Sequence, residues 1–148
     1  MKNKPFSKVD QIRIPAEWEP HSCCWMAWAV HPEWGRCVDE VKRELREIIA
    51  TVAEYEPVRL LTPPDQMMDA HHQSFGHNVE ILTAPVDDIW MRDIAPTFAL
   101  RGDETVAIDW NFNGWGSTSQ RRSRPGDRLA GRLAASIGVP TVSASLVS

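Results

Sequence analysis

Ser22-Cys23-Cys24-Trp25-Met26-Ala27-Trp28-Ala29, the segment Arg36 to Tyr55, and Val58-Arg59-Leu60-Leu61 together decide the fold class. The first is a short, nearly unbroken apolar run bounded by Glu19-Pro20-His21 and His31-Pro32. A run of that length without alternation suits a strand buried on both faces, as in a parallel sheet. From Arg36 to Tyr55, Val38, Val41, Leu45, Ile48, Ile49 and Val52 recur at three- and four-residue steps. That spacing places them on one face of a helix, and Asp39/Arg43 and Arg43/Glu47 have the spacing of ion pairs on its exposed side. Val58–Leu61 reads as the next strand. Strand, helix and strand in that order indicate an α/β chain.

Working outward, Thr62-Pro63-Pro64-Asp65 has the composition of a helix start: a capping threonine, proline in the first turn and a carboxylate three residues on. A shorter helix is expected from there to about Gln73, then a strand at Val79–Thr83 that Ala84-Pro85 ends. Thr97–Leu100 and Thr105–Asp109 flank Arg101-Gly102-Asp103-Glu104 and should pair as a hairpin. Leu129, Leu133 and Ile137 share a helical face, Gly138 and Pro140 supply a stop, and Val139–Val147 reads as a final strand or two short ones. The sum is α/β or mixed α+β with sheet edges. Strand-like sequence runs to Ser148, which creates the expectation that the chain stops inside a structural unit.

Composition narrows the functional classes. At 148 residues and 16.7 kDa, with 43% apolar and 24% charged residues, one ordinary globular domain is the upper bound. No apolar run approaches the roughly 18 residues of a membrane span, and the basic start Met1-Lys2-Asn3-Lys4 precedes no signal-like apolar stretch, so a cytoplasmic protein is expected. A formal charge of −4 argues against nucleic acid as a partner; the one basic run, Arg121-Arg122-Ser123-Arg124, sits among turn residues and reads as a solvated loop.

Cys23, Cys24 and Cys37 are odd in number and lack zinc spacing, so they read as buried, inert thiols. His71, His72, His77 and Asp69 lack the spacing of a metal site, because adjacent residues on a helix point apart. His21 and His31 read as turn residues. Seven tryptophans against one tyrosine, Tyr55, leave wide indole rings to fill a core or wall a pocket.

Two segments are candidates for chemistry. Asp87-Asp88-Ile89-Trp90-Met91-Arg92-Asp93 packs three carboxylates, a guanidinium and an indole into seven residues. Carboxylates accept paired N–H bonds from a guanidinium and an indole face attracts a planar cation, so the loop is either a cation clamp or a surface turn with Arg92 paired to Asp87 or Asp88. In Asn111-Phe112-Asn113-Gly114-Trp115-Gly116-Ser117, glycines alternate with aromatics; it is either a pocket wall or a tight connection.

Taken in order, Ile14-Pro15-Ala16-Glu17-Trp18-Glu19-Pro20-His21, Trp25-Met26-Ala27-Trp28, Trp90-Met91-Arg92-Asp93-Ile94-Ala95-Pro96-Thr97-Phe98 and Asp109-Trp110-Asn111-Phe112-Asn113-Gly114-Trp115-Gly116 resemble the N-terminal part of the agmatine deiminase family, which includes bacterial peptidylarginine deiminases. The resemblance implies a pentein, a five-bladed α/β propeller of ββαβ-type units, present here only in part. It implies hydrolysis of a guanidinium to a ureido group and ammonia, agmatine giving N-carbamoylputrescine, by a cysteine thiolate with a histidine moving protons and carboxylates holding the guanidinium. By motif match Asp93 would be one such carboxylate and Trp90 would pack along the substrate, with Trp115, Gly116, Arg92 and Asp88 as further pocket residues. It implies no metal and no organic cofactor, a small cationic partner, and, by analogy, a homo-oligomer. Relatives carry Thr-Gly-Pro where this chain has Ile94-Ala95-Pro96; a positive φ at that glycine would cost alanine about 1 kcal/mol.

The nucleophilic cysteine and the histidine would fall beyond Ser148, so the 148 residues are expected to be the N-terminal part of a single deiminase domain, inactive and self-associating on their own. Alternatives from the same residues are a fragment of a bacterial peptidylarginine deiminase, a non-catalytic guanidinium-binding module, and a decayed reading frame.

Overall fold

In the computed structural model the described residues are 11–114 and 128–144. In chain order they form β1 (Ile12–Arg13), β2 (Cys24–Ala27), a 3-10 helix (Pro32–Cys37), α1 (Val38–Ala53), β3 (Val58–Thr62), a 3-10 turn (Pro64–Gln66), α2 (Met67–His72), β4 (Val79–Thr83), α3 (Met91–Ile94), β5 (Thr97–Arg101), β6 (Glu104–Asp109), α4 (Leu129–Ser136) and β7 (Thr141–Ser143). The described residues fall into two units, one over Pro20–Asp93 and the other over residues 11–19, 94–114 and 128–144.

In the Pro20–Asp93 unit the strand–helix alternation makes a three-stranded parallel sheet in the order β2-β3-β4. Cys24 pairs with Val58 and Val58 with Val79. The central strand β3 has Val58, Leu60, Leu61 and Thr62 buried, which accounts for a mostly apolar sequence broken only by half-buried Arg59. Leu45, Ile49 and Ala53 of α1 join Trp28, Val58, Leu60, Ala70 and Phe75 in one core, each large side chain contributing about 1.5–3 kcal/mol by leaving water. On the sheet, Trp25, Arg59 and Glu80 stand at one register: Arg59 lies 5.2 Å from the Trp25 ring centre and 3.3 Å from the Glu80 carboxylate.

Several expectations change here. The strand expected over residues 22–29 is confined to Cys24–Ala27; the Trp28 N–H still donates to the Leu61 carbonyl at 2.8 Å, and by Val30 the backbone bonds to a side chain. The helix expected from Arg36 to Tyr55 is α-helical only over Val38–Ala53; the 3-10 helix ahead of it contains Gly35 at φ 54°, which breaks the regular turn. Ile48 is 54% exposed and outside the core. Arg43 pairs with Glu40 and Glu44, at 3.5 Å each, in place of Asp39 and Glu47. Thr62, expected to cap a helix, is the last residue of β3, fully buried, and its hydroxyl has no hydrogen-bond partner. Its pairing with Thr83, continued by the Ala84 N–H donating to its carbonyl at 2.9 Å, holds it in the ladder. The cysteines are also less buried than expected: Cys23 and Cys24 are half-buried and Cys37 is exposed.

In the other unit the sheet order is β1-β5-β6-β7. The hairpin forms as expected, with the turn shortened to Gly102-Asp103 because Arg101 and Glu104 pair through backbone register and side chains, 2.7 Å apart. Gly102 takes φ 63°, which an L side chain resists. β6 continues through α4 to β7, which lies parallel to β6. Ala99, Val106 and Ile108 form a core with Val142 and Ala144. Leu129, Ala130, Leu133 and Ala134 of α4 are buried as the helix packs on β6 and β7. The β5–β6–α4–β7 succession has the ββαβ order implied for a pentein unit, whereas β2–α1–β3–α2–β4 is parallel throughout. Neither sheet closes on itself among the described residues. No helix among them is long and apolar enough to cross a membrane. Arg121-Arg122-Ser123-Arg124, Trp115, Gly116 and Ser117, and the strand expected past Ala144, lie outside the described residues.

Candidate functional site

Trp28, immediately after β2, is fully buried and anchors the surroundings of the site. Its indole N–H donates to Asp69 Oδ2 at 2.9 Å, and Lys42 Nζ lies 3.0 Å from the same oxygen. Phe75 meets the indole edge-on with ring centres 5.2 Å apart. Two residues on, the Gln66 side-chain amide takes both polar groups of Val30: the Val30 N–H donates to Oε1 at 2.9 Å and Nε2 donates to the Val30 carbonyl at 3.1 Å. This pair substitutes for a strand partner and fixes where the chain leaves the sheet. His31 then caps the 3-10 helix, Nδ1 accepting from the Glu33 N–H at 3.4 Å, and the helix presents Glu33, Trp34 and Cys37.

Those residues form one side of a cavity of about 520 Å3, lined by His31, Glu33, Trp34, Cys37, Val41, Asp88, Ile89 and Trp90. Trp34 and Ile89 are also packed against the main core, so both walls are tied to it. Asp88 turns its Oδ1 to the Ile89 N–H at 2.8 Å, which holds the loop in a local turn. Trp90 is 55% exposed, a wide apolar surface left uncovered at the cavity. Two indoles with the carboxylates of Asp88 and Glu33 make a surface suited to a cation with an apolar or planar part.

The structure thus brings Asp88 and Trp90 of the candidate loop to one cavity. Arg92 and Asp93 do not line it; they follow on α3, a four-residue helix where the sequence suggested open loop, and both side chains are exposed. The Asp93 N–H donates to the Trp90 carbonyl at 3.0 Å, so one turn of backbone sets the spacing between indole and carboxylate. Asp87, Arg92 and Asp93 each have an interaction partner. Ala95 does not take a positive φ, so the glycine-to-alanine cost anticipated for that position does not arise. Trp115 and Gly116 lie outside the described residues.

Sequence reading missed Glu33, Trp34, Cys37 and Val41 as neighbours of the acidic loop. The available signal was Trp34 between Pro32 and Gly35, an aromatic in a segment bounded by breakers. His21 pairs with Glu56 rather than standing alone in a turn. Among the thiols, burial pushes Cys24 above the ordinary range, with the Glu56 charge and Cys23 adding to it, which keeps it protonated and a poor nucleophile.

The chain matches the model of the Porphyromonas-type peptidyl-arginine deiminase family over residues 13–148, a span that contains Trp90 and Asp93. A candidate agmatine deiminase of Legionella pneumophila (strain Philadelphia 1) is 40% identical over 106 residues, 70% of this chain and 30% of that protein. The agmatine deiminase of Pseudomonas aeruginosa (strain LESB58) is 33% identical over 112 residues, 74% of this chain and 30% of its own length. In three dimensions the agmatine deiminase of Enterococcus faecalis superposes with a TM-score of 0.82 at 22% identity, over 93% of this chain and 39% of that one, a likeness of fold. The chain therefore spans between 30% and 39% of the length of these three proteins. A match that runs from Arg13 to Ser148 and is joined by such relatives settles the family: the chain belongs to the Porphyromonas-type peptidyl-arginine deiminases.

Proposed function

We propose that this chain supplies part of the substrate-binding half of an agmatine deiminase, which hydrolyses the guanidinium of agmatine to a ureido group with release of ammonia and so serves putrescine formation. The observation that carries the reading is the exposed Trp90 indole set one helical turn from the Asp93 carboxylate, within the matched span of the family. In this reading the Trp90 face packs on the planar guanidinium and Asp93 accepts its N–H groups as a charge-assisted pair. Asp88 and Glu33 make the approach negative, which favours a cation over the uncharged ureido product. The thiolate that attacks the guanidinium carbon and the group that moves protons are assigned to no residue of this chain. The five-bladed arrangement of the whole catalytic domain belongs to the same proposal, supported by the ββαβ succession and the fold likeness.

Calorimetry on the 148-residue chain tests the clamp. Agmatine should bind with Trp90→Ala and Asp93→Ala each weakening it severalfold, and N-carbamoylputrescine should bind far less well. Equal affinity for charged and uncharged ligands, or undiminished binding in both variants, would overturn the assignment. The family description also names peptidyl-arginine, so an arginyl peptide is the second ligand to titrate, and a preference for it would move the substrate from agmatine to a protein side chain.

A further inference from the structure

We propose that the cavity beside the start of α4 binds a small oxyanion, a phosphate or carboxylate group, held by Arg128 and Arg132. The cavity, about 490 Å3, is lined by Asp109, Asn111, Phe112, Arg128, Gly131 and Arg132, a volume within the usual range for small-molecule sites. Arg128 immediately precedes α4 and Arg132 stands four residues on, so both guanidinium groups rise from one face of the helix. Both residues are exposed, and among the described residues neither pairs with a carboxylate. Like charges at this spacing repel, and an anion between them removes the repulsion while accepting paired N–H bonds from each planar fork.

The rest of the lining adds one carboxylate, one amide and one aromatic ring. Asp109 is the one carboxylate in it, and its Oδ1 accepts the Asn111 N–H at 2.9 Å. The Asn111 side chain is committed elsewhere, its amide donating to Ser143 Oγ at 3.1 Å and to the Ala144 carbonyl at 2.6 Å. Gly131 adds no side chain to the lining, a Cβ there would come 3.5 Å from Asp109 Oδ2, and Phe112 adds an apolar wall for the body of an organic anion. The sequence sharpens the contrast. Residues 121–132 contain five arginines and one aspartate, a local charge of +4 in a chain whose total is −4.

The test is a titration of the 148-residue chain with inorganic phosphate and, separately, with succinate, followed by heat and by the arginine Nε–H signals in NMR. Saturable one-to-one binding is expected, weakened about tenfold by Arg128→Gln or Arg132→Gln and abolished by the pair. Arg46→Gln on α1 removes the same net charge from a different unit and should leave binding unchanged. Tighter binding of phosphate would identify a phosphate monoester as the ligand head, and tighter binding of succinate a carboxylate. Absence of saturable binding for both anions, an equal loss in Arg46→Gln, or full binding in the double variant would each overturn the proposal. Arg128→Lys and Arg132→Lys guard against misfolding: they keep the charge and should recover part of the affinity without the paired geometry.

Discussion

Replacing Gln66 with leucine removes the amide that satisfies Val30 and keeps nearly the same volume. Val30 is 6% exposed, so its N–H and carbonyl would lose partners at 2.9 and 3.1 Å with little water to replace them. Each orphaned buried backbone group costs about 1–3 kcal/mol, and because Gln66 itself is half-buried, partial hydration brings the expected total to about 2–3 kcal/mol. At this chain length that corresponds to a melting-point drop of about 6–9 °C. The assay is urea unfolding followed by tryptophan fluorescence, to which fully buried Trp28 contributes, together with hydrogen exchange at the Val30 amide. Gln73→Leu is the comparison, since Gln73 makes a single longer bond to the Asp69 carbonyl, 3.3 Å, and should lose less than about 1 kcal/mol. Gln66→Glu adds a pH signature. A carboxylate still accepts the Val30 N–H but sets its second oxygen against the Val30 carbonyl; protonated, it restores the donor. The carboxyl is therefore raised in the folded state, so stability is retained below the unfolded carboxyl range and lost as the pH rises through the raised value. A loss under about 0.5 kcal/mol in Gln66→Leu, or a Gln66→Glu variant more stable at neutral than at acid pH, would refute the clamp.

Thr62→Val should stabilise the chain by about 1 kcal/mol in the same urea assay, because it deletes a buried hydroxyl without a partner and keeps the shape. Trp28→Phe should cost about 2 kcal/mol, through the cavity it opens and the lost bond to Asp69, while Lys42 keeps the carboxylate paired. Alkylation mapped by peptide mass should modify exposed Cys37 first and Cys24 last, burial and the Glu56 charge holding the Cys24 thiol protonated. The same raised value means that Cys24 contributes stability below the ordinary thiol range and loses it as the pH rises through the folded value; Cys24→Val should flatten that alkaline slope.

Elements whose causes lie within a few residues were legible in advance. α1, β3, β4, the β5–β6 hairpin and α4 follow from apolar spacing, a Gly-Asp turn and the Gly138 stop, and each is found where those signals put it, within a few residues. Asp88 and Trp90 were also legible as chemistry, since a carboxylate and an indole in one short loop suit a cation irrespective of the fold. Other features were out of reach of any local pattern. Nothing near Gln66 in the sequence announces Val30, and nothing near Trp34 announces Trp90, because those encounters arise only when β2, α1 and β4 are stacked by the parallel register.

Sequence alone determined that this is an α/β chain whose acidic, tryptophan-bearing loop could hold a cation. Tertiary structure alone decided that Thr62 joins a strand instead of capping a helix, that α3 replaces open loop around Asp93, and that Glu33 and Trp34 face the loop across a cavity. The reason is one of range. Periodicity and turn chemistry are local properties of the backbone, whereas a buried ladder outbids a local cap, and a cavity exists only between elements distant in the chain that the core has brought together.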